Sequence, residues 1–442
     1  MNISIIGTGY VGLVTGTCLA EKGHTVVCVD LDKSKVDAIN AGETPIYEPG
    51  LPEMLKGQIG NRLFATTDLA GAVLTSEMTF IAVGTPFDGK AIDLTFIRNC
   101  ATQIGAALRK KDTYHVVVVK STVVPGTTDG VVGPLLEKAS GKRLGGGFGL
   151  GMNPEFLSEG SAVHDFLNPD RIVLGGNDQR TQHKLMEVYA PFSDVPMLPA
   201  SNSTAEMIKY ASNALQATLI SFSNEIGNLC SDLGGIDCID VMKGVHLSQY
   251  LRSVGSAKPA PIVSFLKPGP GFGGSCFPKD VKALIAHGQH YGNEMPLLQE
   301  VIHTNEEQPW RMIELLRGRI RDLQGASVTV LGLAFKPETD DVRESPALAL
   351  IEILLNEGAE VFAYDPIAMP AARKALGERK VTYCDSLEDA LGRTDNLLLV
   401  TSWKEFEKVP ELLNKLDLAP IVIDGRRQLD KNSIKNYSGI GL

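Results

Sequence analysis

Residues 2–12 read NISIIGTGYVG: a β-prone run, then glycines at 7, 9 and 12 in the spacing G-x-G-x-x-G, then a helical stretch. Few local patterns constrain a fold as tightly. The first glycine makes the tight turn and the second lets a pyrophosphate approach bare backbone. The third lets a helix pack closely on its strand, and the helix N-terminus stabilises the negative charge. The next β-prone run, TVVCVD, ends at Asp30, eighteen residues beyond Gly12, where a carboxylate can take both hydroxyls of a ribose. Asp30 would repel a 2′-phosphate, so NAD is expected rather than NADP.

The same alternation continues along the chain. β-prone runs at 2–6, 25–29, 79–83, 115–119 and 171–174 are separated by segments long enough for crossover helices, which implies a mostly parallel sheet covered on both faces. It recurs at 327–332, 360–364, 396–400 and 420–424. The expected class is therefore α/β, with two doubly wound Rossmann-like domains joined by a long central helix. The second unit, VTVLGLAFKP, lacks the later glycines of the fingerprint and is not expected to hold a second dinucleotide.

The middle differs. Ile208, Ala211, Leu215, Leu219, Phe222, Ile226, Leu229 and Leu233 keep one apolar stripe over about seven turns of a helix, with Ser203 and Glu206 fitting a capping box and Gly234-Gly235 the stop. The stripe either packs within one subunit or makes a dimer surface. Residues 253–271, rich in Pro, Gly and Ser, read as a loop. The expected domains are 1–200, binding NAD; 201–310, helical; and 311–442, the second Rossmann-like domain.

Composition narrows the function. A net charge of -10 argues against nucleic-acid binding, and no stretch reaches the roughly 18 apolar residues that cross a bilayer. The start, without a basic n-region, and seven scattered cysteines without a C-x-x-C pair suggest a cytoplasmic protein with free thiols. No metal is expected: His287 and His290 form an isolated H-x-x-H that reads as helix surface. Against that background Cys276 in GPGFGGSCFPKD stands out. PKDVKALIAHG reads as a helix starting beside it, and a helix N-terminus and Lys279 both favour a thiolate. Glycines 271, 273 and 274 are expected to let a substrate approach the sulfur.

The ordered set GTGYVGL, VGTP, KSTVVPGT, NPEFLSEG, AEMIKYASN, GFGGSCFPKD and GLAFKPETDDVRESPAL resembles the UDP-glucose/GDP-mannose dehydrogenase family over nearly the whole chain. The resemblance implies an NAD-dependent, four-electron oxidation of a nucleotide sugar's primary alcohol to a carboxylate, and a homodimer with its contacts in 201–310 is expected. UDP-glucose is favoured on Phe277, where GDP-mannose enzymes more often have leucine; GDP-mannose, another UDP-hexose and a non-catalytic binding protein are the alternatives. Carried over by motif, Cys276 is the catalytic cysteine, with Lys209, Asn213 and Asp280 around it. Glu155 handles the hydrolytic water and Thr122 places it. Cofactor contacts fall on Gly7, Gly9, Tyr10, Val11, Gly12, Asp30, Lys35, Thr85, Thr122, Glu159, Lys279 and Arg343. Substrate contacts fall on Glu155, Phe156, Leu157, Ser158, Glu159, Lys209, Asn213, Phe265, Leu266, Lys267, Pro268, Gly269, Gly273 and Lys336. The family's R-I-G segment before the glycine loop has no counterpart here, with Arg252 and Lys258 the nearby cations, and STVVPGT stands where S-T-V-P-V-G-T is usual.

Chemistry agrees with a cysteine. An aldehyde cannot lose a second hydride until it becomes a tetrahedral adduct, and a thiolate adds readily and leaves a hydrolysable thioester. Lys209 and Asn213, four apart on the helix, could stabilise the oxyanion or could be a solvated pair. Glu155 and Glu159 flank a strand-end turn where either carboxylate could take a proton from water.

Overall fold

The computed structural model describes residues 1–253, 255–256 and 258–442; positions 254 and 257 of the expected loop lie outside the described residues. The chain forms two compact units, Met1–Ser212 and Asn213–Leu442, with the division falling inside one 32-residue helix, Asn202–Leu233. The helical middle and the C-terminal sheet thus belong to one unit.

The first unit is built on eight strands: β1 (Asn2–Ile6), β2 (Thr25–Val29), β3 (Leu63–Thr66), β4 (Met78–Ile81), β5 (His115–Val119), β6 (Phe148–Met152), β7 (Ile172–Gly176) and β8 (Met197–Ala200). Their order is β3-β2-β1-β4-β5-β6-β7-β8, parallel throughout except where β7 runs against β6. Successive side chains on β5 enter opposite layers: Val116 and Val118 join the core on one face, Val117 and Val119 the core on the other. The order turns back between β1 and β4, the switch point where open α/β sheets receive ligands at their strand C-termini.

The second unit's sheet comprises β9 (Ser327–Leu331), β10 (Glu360–Tyr364), β11 (Val381–Tyr383), β12 (Asn396–Leu399), β13 (Ile421–Asp424) and β14 (Asn436–Gly439), all parallel in the order β11-β10-β9-β12-β13-β14. Ahead of it lie the helices Cys238–His246, Phe277–His290 and Pro296–Arg317.

The long helix starts at Asn202, and the expected capping box is not formed. Ser201 Oγ accepts the Thr204 amide at 3.2 Å, whereas the Glu206 carboxylate turns inward and is fully buried. The stop is as the sequence suggests, with Gly234 and Gly235 at positive φ of 68° and 72°. The apolar stripe is left outside: Leu215, Phe222, Leu229 and Leu233 are 55%, 48%, 53% and 64% exposed.

Candidate functional site

In the first unit, the strand-to-helix turn has the form the fingerprint requires. Gly7 has φ 101°, and a Cβ there would sit 2.6 Å from the Ala82 carbonyl oxygen; a Cβ on Gly12 would collide with the Gly7 carbonyl. A Cβ on Gly9 would meet nothing, and the helix Tyr10–Glu21 that Gly9 precedes has no side-chain cap. An open glycine before an uncapped helix N-terminus fits an anionic pyrophosphate. At the end of β2, Asp30 Oδ2 accepts from the Thr8 amide at 2.9 Å and hydroxyl at 2.6 Å, and Oδ1 from the Asp32 amide at 3.0 Å. Burial alone would raise its pKa, but these donors and Lys35 hold the carboxyl below its ordinary range, ionised and with acceptor capacity left for a diol. These residues fit NAD.

Tyr10 takes a different part. Its hydroxyl bonds the buried Glu48 and accepts from the Gly160 amide at 3.0 Å, while Glu48 also accepts from Ala162 at 2.6 Å. The side chain therefore ties the fingerprint helix to the end of NPEFLSEG, and the sequence did not single out Glu48. Val11, Lys35, Thr122, Phe156, Leu157 and Glu159 are half-buried, Ser158 is exposed, and Thr85 is buried with its hydroxyl on the Thr122 carbonyl at 2.7 Å.

Beyond β6 lies a buried charge cluster. Lys209 Nζ stands 3.0 Å from Glu155 Oε1, with both side chains about 5% exposed or less, and Glu155 Oε2 accepts the Leu157 amide at 2.6 Å. Lys209 is thus buried, not part of a solvated helix face. Burial pushes Glu155 up, yet Lys209, the Leu157 amide and Lys120 outweigh it and keep the carboxyl below its usual range. Lys120, unnoticed in the sequence, is buried with Nζ 2.9 Å from Asn153 Oδ1, and burial brings its pKa down to about 8. Phe156 lies under the Arg171 guanidinium at 4.0 Å.

In the second unit, Cys276 stands at the N-cap of the helix Phe277–His290, and its carbonyl accepts the Asp280 amide at 2.8 Å. It is half-buried, whereas the other six cysteines are buried, and burial pushes the thiols of Cys18, Cys28, Cys100, Cys238 and Cys384 up to about 11 or 12. Asp280, 1% exposed, accepts from Asn213 Nδ2 at 2.7 Å and pairs with Lys279. Lys279 therefore shares its charge with a carboxylate one residue on. Asn213, Asp280 and Lys279 thus form one hydrogen-bonded group at the start of this helix.

The loop glycines have another reason than the one expected. A Cβ on Gly271 would lie 2.8 Å from Asn305 Oδ1, one on Gly273 would collide with the Glu344 carbonyl, and one on Gly274 would lie 2.8 Å from the Phe335 ring. They let the loop pack against the second unit itself, with the Gly274 amide on the Arg343 carbonyl at 2.8 Å. Polar side chains that the sequence did not mark hold it: Asn224 Oδ1 and Gln308 Nε2 grip the Gly269 amide and carbonyl at 2.8 Å each, and Asn305 exchanges two hydrogen bonds with Phe272. Asn224 lies eleven residues after Asn213, three turns along the same helix face, a spacing that could have found it. Half-buried Arg426, with Nε on the Val400 carbonyl at 2.7 Å, reaches 3.1 Å from where a Gly269 Cβ would be.

Of the remaining residues, Leu266 and Pro268 are buried, Lys267 is exposed, and the Phe265 and Phe272 rings lie 6.3 and 6.0 Å from that of Phe277. Lys336 is half-buried, and Arg343 is exposed and clamps Asp341 with 2.7 Å at its shortest contact. Arg252 and Lys258 are both exposed. Among the described residues there is no cluster of three potential metal ligands, and no helix is long and apolar enough to cross a membrane.

Comparison with known proteins places this geometry. Residues 1–193, 203–307 and 329–431 match, in turn, the NAD binding, central and UDP binding domains of the UDP-glucose/GDP-mannose dehydrogenase family. The chain is 45% identical to the UDP-glucose 6-dehydrogenase AglM of Haloferax volcanii over 100% of both chains. It is 44% identical to TuaD, a UDP-glucose 6-dehydrogenase of Bacillus subtilis, over 96% of this chain and 88% of that one. A UDP-glucose dehydrogenase structure from Pyrobaculum islandicum superposes with a TM-score of 0.90 at 40% identity, covering 99% of this chain and 97% of that one. A UDP-D-ManNAc dehydrogenase from Pyrococcus horikoshii gives 0.84 at 28% identity, covering 100% and 99%.

Proposed function

The chain belongs to the UDP-glucose/GDP-mannose dehydrogenase family, and from that premise we propose that it oxidises UDP-glucose to UDP-glucuronate in two NAD-dependent steps at one carbon, carried by Cys276. The observation that carries the reading is Cys276 itself: the one cysteine of seven that is not buried, at a helix N-cap, with the Asn213–Asp280–Lys279 group beside it.

NAD, when bound, would accept one hydride from the sugar carbon in each of the two oxidations, so two NAD are reduced per sugar. Gly7, Gly9, Val11, Gly12 and Asp30 would hold it, with Lys35, Thr85 and Thr122 completing the first unit's contacts. Once the alcohol has become an aldehyde, the Cys276 thiolate adds to its carbon. The Lys209 ammonium and the Asn213 amide stabilise the resulting thiohemiacetal oxygen, a role in which one lost donor costs about 10²–10³ in rate. Asn213 has two amide protons, and one of them already fixes its orientation on Asp280. Loss of a second hydride from the same carbon leaves a thioester on Cys276. Water then attacks that carbonyl, Glu155, held ionised by Lys209, takes the water's proton, and the sulfur leaves as thiolate. The substrate lies along Glu155 to Glu159, Phe265 to Gly269, Gly273 and Lys336.

Residues 1–200 serve as the NAD domain, 201–310 as the middle domain and 311–442 as the nucleotide-sugar domain. The exposed stripe Leu215, Phe222, Leu229 and Leu233 supports a homodimer through the long helix, because about 50% exposure of four large apolar side chains in one line is costly in water. The absence of disulfides among the described residues is consistent with a cytoplasmic setting.

The experiment is NADH production from purified protein against a panel of nucleotide sugars. UDP-glucose should be turned over with the highest kcat/KM. Preference for GDP-mannose or another UDP-hexose would overturn the substrate, and tight binding without NADH from any sugar would overturn the reaction.

A further inference from the structure

Glu206 is the residue the sequence reads as a helix cap and the structure uses otherwise. It lies four residues into the long helix, is fully buried, and both carboxylate oxygens face main-chain donors of the loop after β5: Oε2 takes the Gly126 amide at 2.6 Å and Oε1 the Thr128 amide at 2.8 Å. This loop carries Thr122. It runs through Gly126 at φ 89° into a π-helical turn, Thr128–Val132, and Pro125 offers no amide of its own. A carboxylate is the side chain that offers two acceptors and no donor, which is what two converging amides require. Three residues on, Lys209 grips Glu155 at 3.0 Å from the same face of the helix.

We propose that Glu206 is a positioning residue for the hydrolytic half of the reaction. Through it and Lys209, the opening turns of one helix hold Thr122 and Glu155, on the loops after β5 and β6, in register with each other. The inference rests on the reading of Thr122 and Glu155 as the groups that place and deprotonate water. Thr85, whose hydroxyl holds the Thr122 carbonyl at 2.7 Å, is the loop's other anchor.

Glu206→Gln tests it, because the near-isosteric amide sets a donor against one of the two N–H groups. At pH 8, with UDP-glucose and NAD, E206Q should lose about 10²-fold in kcat, the usual cost of a small misplacement of a reacting group. Intact-protein mass spectrometry should show a sugar-nucleotide acyl group accumulating on Cys276, as hydrolysis becomes limiting. Thr122→Ala should accumulate the same adduct, and the double variant should be no slower than the worse single one. Wild-type turnover in E206Q, or lost turnover with no adduct, overturns the role of Glu206 if T122A still accumulates adduct. A T122A protein that hydrolyses normally overturns the reading of Thr122 on which it rests.

Discussion

Replacing Lys209 by methionine keeps the length of the side chain and removes its charge, leaving Glu155 buried opposite a thioether. At the 3.0 Å separation of this pair, an effective dielectric constant of about 20 gives an attraction of about 5 kcal/mol. Lys120 remains in the cluster and offsets part of the loss, and orphaning one partner of a buried pair costs about 3–5 kcal/mol. We expect the first unit to lose about 3 kcal/mol at pH 8. The sign with pH follows from Glu155. In the wild type its depressed pKa contributes stability that is present above the unfolded value and lost as pH falls. In K209M, burial acts with less opposition and raises the folded pKa. The deficit is then largest at pH 8 and shrinks toward pH 5, as the carboxyl becomes free to bind a proton. Both tryptophans, Trp310 and Trp403, lie in the second unit, so the assay is amide hydrogen exchange of β5 and β6 at the two pH values. K209M combined with E155Q should recover most of the protection. A K209M protein within about 0.5 kcal/mol of wild type at pH 8, the range of an ordinary surface change, or a deficit equal at both pH values would refute the ion-pair account.

Asp237 caps the helix Cys238–His246 and pairs with Arg427 and Lys431 at 2.8 and 2.9 Å. Burial opposes ionisation, but these cations bring its pKa down to about 2, so D237N should cost about 2 kcal/mol at pH 7 by tryptophan-monitored unfolding. That deficit should fade between about pH 4 and pH 2, as the wild-type carboxylate is protonated. Gly274→Ala puts a Cβ 2.8 Å from the Phe335 ring at φ 82°. It should lower kcat about 10²-fold while NADH binding to the first unit is unchanged, as measured by fluorescence titration. Phe222→Glu with Leu229→Glu should convert a dimer to monomer by light scattering, and a dimer that survives both would remove the long helix from the interface.

How much of this was legible depends on the range of the interaction. β1, β2 and β5 are short runs dominated by Ile and Val, and the fingerprint between β1 and its helix is a local motif, so sequence alone located them. β6, FGLGM, is not picked out because two glycines dilute its apolar pattern, yet a Cβ on Gly151 would sit 2.8 Å from Leu185, so these glycines serve the helix packed on the strand. β14, NYSG, has too little apolar character to announce itself. In the site, Cys276, Lys209, Asn213 and Asp280 were found as residue types at motif positions. The partners that fix the loops, Asn224, Asn305 and Gln308, sit in helices far along the chain and look like ordinary polar positions. Glu206 shows the same limit from the other side: its spacing from Ser203 satisfies a local capping rule, and two amides eighty residues away prevail because they are buried donors without another acceptor.

The central claim is that one thiol carries two oxidations of one carbon, and the ratio of products tests it. With limiting UDP-glucose and excess NAD, the wild-type protein should release two NADH for each UDP-glucuronate formed, while Cys276→Ser should stall without completing the second oxidation. One NADH per sugar with an aldehyde as the end product, or two NADH per sugar at the full rate from the serine variant, would contradict it.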